Sequence, residues 1–279
     1  MDGNSFARCG RGHVHWGRYG AAGLLLYAEG HVLLQQRALW CNGGGTWGMF
    51  GGGRHSHEDA VTAALRETEE ECSLDTSVVR IEGTVLEDHE GWGFTSVIGS
   101  TPKIVDVRGV SMETRAARWF PVPEVSDLRL FEPFGRAWPR VRELMTHVVL
   151  VVDAANVMGS RPDGWWRDRI GAAGRLRDSL AALDGLAIDP FDRCFPEIVL
   201  VVEGAAAPLT ATPGVGVVAA PGSGDDMIVA LVAAEPGVTH VVVTADRELR
   251  GRCEAVGATV HGPRWLTGQF LDDADDQSA

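Results

Sequence analysis

Residues 52–74 read Gly-Gly-Arg-His-Ser-His-Glu-Asp-Ala-Val-Thr-Ala-Ala-Leu-Arg-Glu-Thr-Glu-Glu-Glu-Cys-Ser-Leu. Four carboxylates, Glu67, Glu69, Glu70 and Glu71, crowd a segment whose other positions belong on a buried helix. Ala60, Ala63, Ala64, Leu65 and Thr68 recur at three- and four-residue spacing with no Pro or Gly between them, which predicts a helix from Asp59 to Cys72. Ser56 is placed to open it as a cap, with Asp59 three residues on completing a box-like arrangement. Residues three and four apart share a helix face, so Glu67, Glu70 and Glu71 are expected to converge. Like charges at that spacing oppose the helix. A hard divalent cation removes the opposition, and magnesium suits carboxylates combined with substrate phosphates. Arg66 stands beside Glu67, where a guanidinium can hold a carboxylate in place. Isolated acidic runs are more often solvated faces; what sets this one apart is the chain just before it.

That stretch is Trp47-Gly48-Met49-Phe50-Gly51-Gly52-Gly53. A glycine turn entering a helix lets backbone approach a phosphate, which makes Gly51, Gly52 and Gly53 candidate phosphate-binding residues. Glu58 lies eight residues before Arg66. Gly52, Glu58, Arg66, Glu67, Glu70, Glu71 and Leu74 fall on the fixed positions of the pattern G-x5-E-x7-R-E-U-x-E-E-x-G-U, with U bulky and aliphatic, so the segment resembles the Nudix box. Two positions depart from it. Thr68 replaces an aliphatic residue, which bears on packing. Ser73 replaces glycine, where the backbone is expected in a conformation that glycine prefers.

The resemblance implies an α/β/α sandwich with a mixed sheet. It also implies hydrolysis of a nucleoside diphosphate linked to another moiety, with Mg2+ or Mn2+ as cofactor. Carried over by position, Glu67, Glu70 and Glu71 are metal ligands, one of them doubling as general base, and Arg66 and Glu58 orient the site. A rival from another class is a regulatory protein that senses a nucleotide, or binds RNA, without turnover; Thr68 and Ser73 leave room for it. The flanks suit the sandwich. Residues 21–27 and 31–36 read as strands around Glu29-Gly30, residues 78–86 and 95–98 as further strands, and residues 134–145 as a closing amphipathic helix. Glu113 is a further acid within reach of the site or simply an exposed loop residue. Trp40, Trp47 and Trp92 are candidates either for base stacking or for core and rim packing.

Composition bounds the rest. The chain has 279 residues, 45% hydrophobic and 23% charged, with a formal net charge of −13. That charge opposes casual binding to nucleic acid or anionic lipid. The longest apolar runs are too short to span a bilayer, and no basic-plus-apolar leader opens the sequence, so a cytoplasmic protein is expected. Five scattered cysteines include no C-x-x-C pair, which argues against a disulfide framework. Cys9, His13 and His15 lie close together, but three such ligands lack the fourth that structural zinc requires.

From Val148 the pattern changes. Residues 148–152, 198–202, 215–219 and 240–243 are nearly continuous apolar runs, the mark of strands buried on both faces of a parallel sheet. Helical stretches near 165–183, 226–234 and 247–256 separate them, which predicts a three-layer α/β domain. Acids follow the strands: Asp153, Glu203 and Asp246, with Asp225 and Asp226 opening a helix. Ligand sites of open parallel sheets lie at the carboxyl ends of strands, so these acids can share a metal. Taken singly, each is more often a helix cap.

Residues 146–279 resemble the PIN-like nucleases of the NYN group. The likeness rests on Val-Val-Asp-Ala-Ala-Asn (151–156), Ser-Gly-Asp-Asp-Met-Ile (223–228) and Val-Thr-Ala-Asp-Arg-Glu-Leu (243–249). It implies metal-dependent RNA cleavage with Asp153, Asn156, Asp225 or Asp226, and Asp246 as the metal cluster, and with Glu203 where relatives often carry Asp. This half holds 10 Arg against 19 acids. Arg161, Arg167, Arg169, Arg175 and Arg177 nevertheless gather beside Trp165 and Trp166, either a grip for single-stranded RNA or an ordinary surface helix. The expected organisation is thus 1–145 and 146–271, followed by a self-repelling acidic tail, 272–279, without structure.

Overall fold

The computed structural model describes residues 2–109, 111–160, 164–235 and 237–276. Two compact units divide the chain: Met1–Met145 with Ile188–Arg193, and Thr146–Ala187 with Cys194–Ala279.

In the first unit, β1 (Phe6–Arg8) and β2 (Val14–Trp16) form an antiparallel hairpin. The main sheet begins with β3 (Ala21–Ala28) and β4 (His31–Arg37). Glu29 and Gly30 join them with φ of 49° and 74°, the twist that a tight two-residue hairpin needs. β5 (Trp47–Gly48), β6 (Phe50–Gly53), α1 (Ala60–Glu71), β7 (Arg80–Asp88), β8 (Gly93–Ser100), β9 (Thr114–Pro121) and α2 (Glu132–Val141) follow. The sheet is mixed: β3 runs parallel to β8 and antiparallel to β4 and β6, and β9 pairs with β4. Ala63 and Ala64 of α1 pack with Leu24, Leu26, Leu33, Phe50 and Val97 into the core beneath the helix. Small alanines bring α1 close to the sheet, which later decides where its acids stand.

Two sequence expectations about α1 change. Its cap is Asp59, whose carboxylate accepts the Thr62 amide at 2.7 Å; Ser56 instead bonds to Asp2 through its amide and hydroxyl. Ser73 does not adopt a left-handed conformation, since Glu29 and Glu90 are the positive-φ residues other than glycine among those described. The helix ends at an extended Cys72, and Ser73 exchanges bonds with Arg108, its amide donating to the Arg108 carbonyl and its hydroxyl accepting the Arg108 amide, both at 3.0 Å. This exchange with Arg108, beside the isolated Cys72–Gly109 bridge, does what a glycine cap does elsewhere. Thr68 is fully buried and donates its hydroxyl to the Ala64 carbonyl at 2.7 Å, so the polar group is satisfied inside the helix.

The chain continues with β10 (Val148–Asp153), α3 (Ala154–Gly159), α4 (Arg169–Ala181), β11 (Arg193–Cys194), β12 (Glu197–Val202), β13 (Val215–Ala219), α5 (Gly224–Ala234), β14 (Thr239–Val243), α6 (Arg247–Ala255), β15 (Thr259–His261) and α7 (Pro263–Asp276), all of them in the second unit except β11, which joins the first unit's sheet. The second unit's sheet is parallel throughout, in the order β13-β12-β10-β14-β15. Val149, Val151, Val201 and Val242 pack with Ile228, Leu249 and Cys253 of α5 and α6, while α3 and α4 pack on β10 and β12. Every residue of β10 is buried, as a central strand covered on both faces must be. The helix expected from Trp165 is broken: Trp165–Arg167 is a single tight turn, and Asp168 caps α4 through the Gly171 amide.

Residues 188–193 belong to the first unit, where β11 extends the sheet beside β7. Asp192 accepts the Leu86 amide at 2.6 Å and donates its own amide to the Thr84 carbonyl at 3.0 Å. A boundary drawn near residue 145 misses this return. At the other end α7 continues through 272–276, which the sequence reading leaves without structure; helix propagation costs little once a turn has formed. Residues 277–279 lie outside the described residues. Among the described residues no helix is long and apolar enough to cross a membrane.

Candidate active site

Arg66 is the hub of the first unit's site. Its guanidinium grips Glu58 with two bonds, Nε to Oε1 at 2.7 Å and Nη2 to Oε2 at 3.0 Å. Nη2 also donates to the Gly53 carbonyl at 3.0 Å, and Nη1 donates to Glu67 at 2.8 Å and to Glu70 at 3.4 Å. The eight-residue gap between Glu58 and Arg66 thus spans the helix start and brings a planar fork onto a carboxylate. Glu58 is buried, and Arg66 together with the His55 amide holds its carboxyl down to about 2. Glu58 is thus held toward its charged form against Arg66.

The three following glutamates grade from core to solvent. Glu71 is buried and accepts from Gln35 Nε2 at 2.9 Å and from the Gly51 amide at 3.3 Å. Burial pushes its carboxyl up to about 8, and the charge of Glu67 adds to the rise. Glu67 is also raised, first by burial and then by Glu70 against the opposing pull of Arg66. Glu70 is about half-exposed. The three share one edge of α1 as expected, with Glu67 between its neighbours, but their side chains turn to different partners. Glu69 faces away and accepts from Thr76.

The glycine run corrects another expectation. Gly51, Gly52 and Gly53 are not a turn at the helix start; they are the strand β6, paired with Gly23, Ala22 and Ala21 of β3. Their small size serves the acids. A Cβ on Gly52 would stand 2.5 Å from the Glu67 carboxylate, so that carboxylate fits only against bare backbone.

Gln35 escapes sequence reading. It is buried on β4, donates also to the Met49 carbonyl at 3.1 Å, and accepts from the Thr114 hydroxyl at 2.9 Å. Its signal was faint: an amide ending the apolar run Val32–Leu34. Glu113 is exposed, and its charge raises both Glu67 and Glu71. Of the tryptophans, Trp40 is exposed, Trp47 packs edge-on against Phe120, and Trp92 is buried with its indole N–H on the Gly17 carbonyl at 2.7 Å. Trp92 is therefore a packing residue.

All the donor atoms of Glu67, Glu70 and Glu71 are carboxylate oxygens, two of these groups are raised by burial and mutual repulsion, and no lysine lies on α1. This set fits a hard divalent ion, which would relieve the repulsion at its source.

In the second unit the acids divide. Asp153 is buried; it accepts the Asn156 amide at 3.1 Å, the Asn156 side chain at 2.6 Å and the Thr244 hydroxyl at 2.9 Å. Asp246 caps α6 through the Glu248 and Leu249 amides at 2.7 and 2.9 Å. Glu203 accepts the Gly224 amide at 2.8 Å, so it, and not Asp225, closes the start of α5. Asp225 is raised by burial and then by the charges of Asp153 and Asp246. Asp226 turns aside to Arg252 at 2.6 Å. In the arginine group, Arg169 lies over Trp165 at 5.4 Å, and Arg177 is spent on Asp178 and the Thr210 carbonyl. Arg161 lies outside the described residues.

Residues 17–148 match the NUDIX domain family model. Over 152 residues the chain is 40% identical to a Mycobacterium tuberculosis (strain H37Rv) protein provisionally named 8-oxo-dGTP diphosphatase 3, covering 50% of this chain and 70% of that one. The chain belongs to the Nudix family, and its N-terminal half is a Nudix hydrolase domain. It is also 32% identical over 147 residues to a Bifidobacterium longum protein named as a nucleoside triphosphate pyrophosphatase/Nudix hydrolase fusion, covering 50% of this chain and 30% of that one. Among solved structures, a Nudix hydrolase from M. smegmatis, RenU, is 35% identical with a TM-score of 0.48, covering 51% of this chain and 94% of that one.

Proposed function

We propose that the first unit hydrolyses the phosphoanhydride of a nucleoside triphosphate carrying an oxidised purine, with Glu67, Glu70 and Glu71 as ligands for Mg2+ or Mn2+. The observation that carries this is the division of labour along α1. Arg66 is locked by Glu58, while Glu67 and Glu71, in a row with the half-exposed Glu70, are held where burial and repulsion disfavour their charge. A bound divalent ion there would activate water and neutralise charge on the leaving phosphate. Glu58 and Arg66 fix the rotamers of Glu67 and Glu70, Gln35 and the Gly51 amide fix Glu71, and Gly52 leaves room for Glu67. The substrate class follows the naming of the mycobacterial relative. The test is release of monophosphate from 8-oxo-dGTP against dGTP with Mg2+. Wild type is expected to turn over, preferring the oxidised base, and Glu70→Gln is expected to be inactive. Nucleotide binding by calorimetry without turnover in any metal would favour the sensing role instead.

For the second unit we propose a PIN-like, metal-dependent ribonuclease centre formed by Asp153, Asn156, Asp225 and Asp246. The mutual repulsion focused on Asp225 supports it. Asp226 is assigned outside the metal shell, because Arg252 pairs with it, and Glu203 stays a further candidate, since an accepted amide does not set it apart from Asp153 or Asp246. Cleavage of single-stranded RNA with Mn2+, kept in Glu70→Gln and lost in Asp153→Asn, is the expected result. No cleavage by wild type would reduce this unit to a binding module.

A further inference from the structure

The sequence placed Cys9, His13 and His15 together and found no fourth ligand. The fold supplies it. His89, in the turn between β7 and β8, comes over the β1–β2 hairpin, and one ligand atom from each of Cys9, His13, His15 and His89 lies within 4.8 Å of all the others. Tetrahedral zinc sets its ligand atoms about 3.5 Å apart, so small side-chain rotations close this cage. The imidazole centroids are 4.8 Å (His15–His89), 6.2 Å (His13–His15) and 6.4 Å (His13–His89) apart. Rings around a single ion have about that spread, since Zn–N is about 2.1 Å.

Two further observations point to a ligand. His15 Nε2 and His89 Nδ1 are buried and have no hydrogen-bond partner; buried polar atoms are rarely left this way, and two in one cluster call for an explanation. The other nitrogen of His89 is already oriented: Nε2 lies 3.0 Å from a Glu87 carboxylate oxygen. A carboxylate behind a histidine sets the tautomer that leaves the opposite nitrogen as a metal donor. His15 is fixed differently, stacked on Trp92 with centroids 3.9 Å apart and planes 10° from parallel. Cys9 is 4% exposed and His13 is exposed, so the cluster has one wall in the core and one side open for an ion to enter.

We infer that Cys9, His13, His15 and His89 bind a zinc ion that clips the β1–β2 hairpin to the turn between β7 and β8. Thiolate plus three imidazoles is a borderline-soft set that favours zinc over magnesium, so this site is chemically separate from the carboxylates of α1. The clip has something to hold. Two three-residue strands are marginal on their own, and the core under them is small: Cys9, Ala21 and Trp92. The same hairpin leads to Gly17, against which Gly53 packs so closely that a Cβ on Gly53 would stand 3.1 Å from the Gly17 Cα. Gly53 is the residue whose carbonyl Arg66 holds. The ion thus braces the backbone behind the acid edge without touching it.

The test uses the full chain. Metal analysis is expected to find about one zinc per chain. Chelated protein titrated with Co2+ alone is expected to develop the intense visible bands of tetrahedral cobalt with a thiolate-to-metal band in the near ultraviolet. These signals are expected to survive in Glu70→Gln and to vanish or lose intensity in Cys9→Ser, His13→Asn and His89→Ala. His13→Asn changes an exposed side chain, so it reports on the site even where loss of a buried ligand harms folding. Restoring zinc to chelated wild type is expected to raise Tm by at least about 5 °C, and not to do so in His13→Asn. Wild type that takes up no zinc and shows no tetrahedral cobalt spectrum overturns the inference. So does a spectrum that persists in all three ligand variants, or one lost in Glu70→Gln.

Discussion

The two units each gather acids at one place, and they treat them differently. In the second, Asp153, Asp246 and Glu203 each accept backbone amides, so the fold itself has a use for their charge. In the first, Glu71 and Glu67 are raised by burial, and neither caps a helix. An acid that stabilises its own fold needs no further explanation. An acid held where folding disfavours its charge does, and the contrast makes α1 the firmer site and Asp225 the one comparable residue in the second unit.

The comparison can be broken by mutation. The largest effect is expected at Glu70, which is half-exposed and held only by the long 3.4 Å contact from Arg66 among the hydrogen bonds described. Glu70→Gln should reduce nucleotide hydrolysis by about 1,000-fold or more while Tm moves little, and measured turnover near wild type would remove Glu70 from the site. Next comes Glu58→Gln, which replaces a buried, doubly bonded carboxylate. It should cost about 2–3 kcal/mol in denaturant unfolding, and a loss within error would mean that Arg66 does not depend on Glu58.

A pH series on chelated protein sharpens the contrast further. The folded pKa of Glu71, about 8, lies above its ordinary value of 4.5. The folded state therefore holds a proton that the unfolded state has released. The contribution of Glu71 to stability is complete below about 4.5 and is lost as pH rises through about 8. Glu71→Gln should flatten that decline, because an amide oxygen can still accept from Gln35 and Gly51. An unchanged slope would contradict the burial argument. Glu58 has the opposite sign: its contribution is present above 4.5 and fades as pH falls toward 2. The smallest effects lie in the second unit. Asp246→Ala should cost about 1 kcal/mol as a lost cap, whereas Asp225→Asn should hold or raise Tm, because it removes a desolvated, repelled charge. If both variants lose equally, Asp225 is structural as well.

Much of the first site was legible in sequence because a helix converts spacing into neighbourhood. Arg66, Glu67, Glu70 and Glu71 sit within six residues, and backbone geometry alone puts them on one edge. The parallel sheet of the second unit was legible for a similar reason, since strands such as β10, buried on both faces, cannot hide their apolar runs. Errors came where a local motif had two uses. The glycines of β6 looked like a phosphate turn but form a strand that makes room for Glu67. Ser56 looked like a cap, and Asp59, equally suited, is the residue that took the role.

What the sequence determined by itself, then, is neighbourhood within one helical turn or one strand period: the acid edge, Arg66 beside Glu67, the apolar strands. Only the tertiary structure decided which distant residues meet: Gln35 beneath Glu71, residues 188–193 returning to the first sheet, Asp226 turned to Arg252, and His89 closing over Cys9, His13 and His15. The reason is physical. Local spacing is set by bond geometry and repeats every few residues, whereas long-range neighbours are chosen by how the whole core packs, and no short pattern encodes that choice.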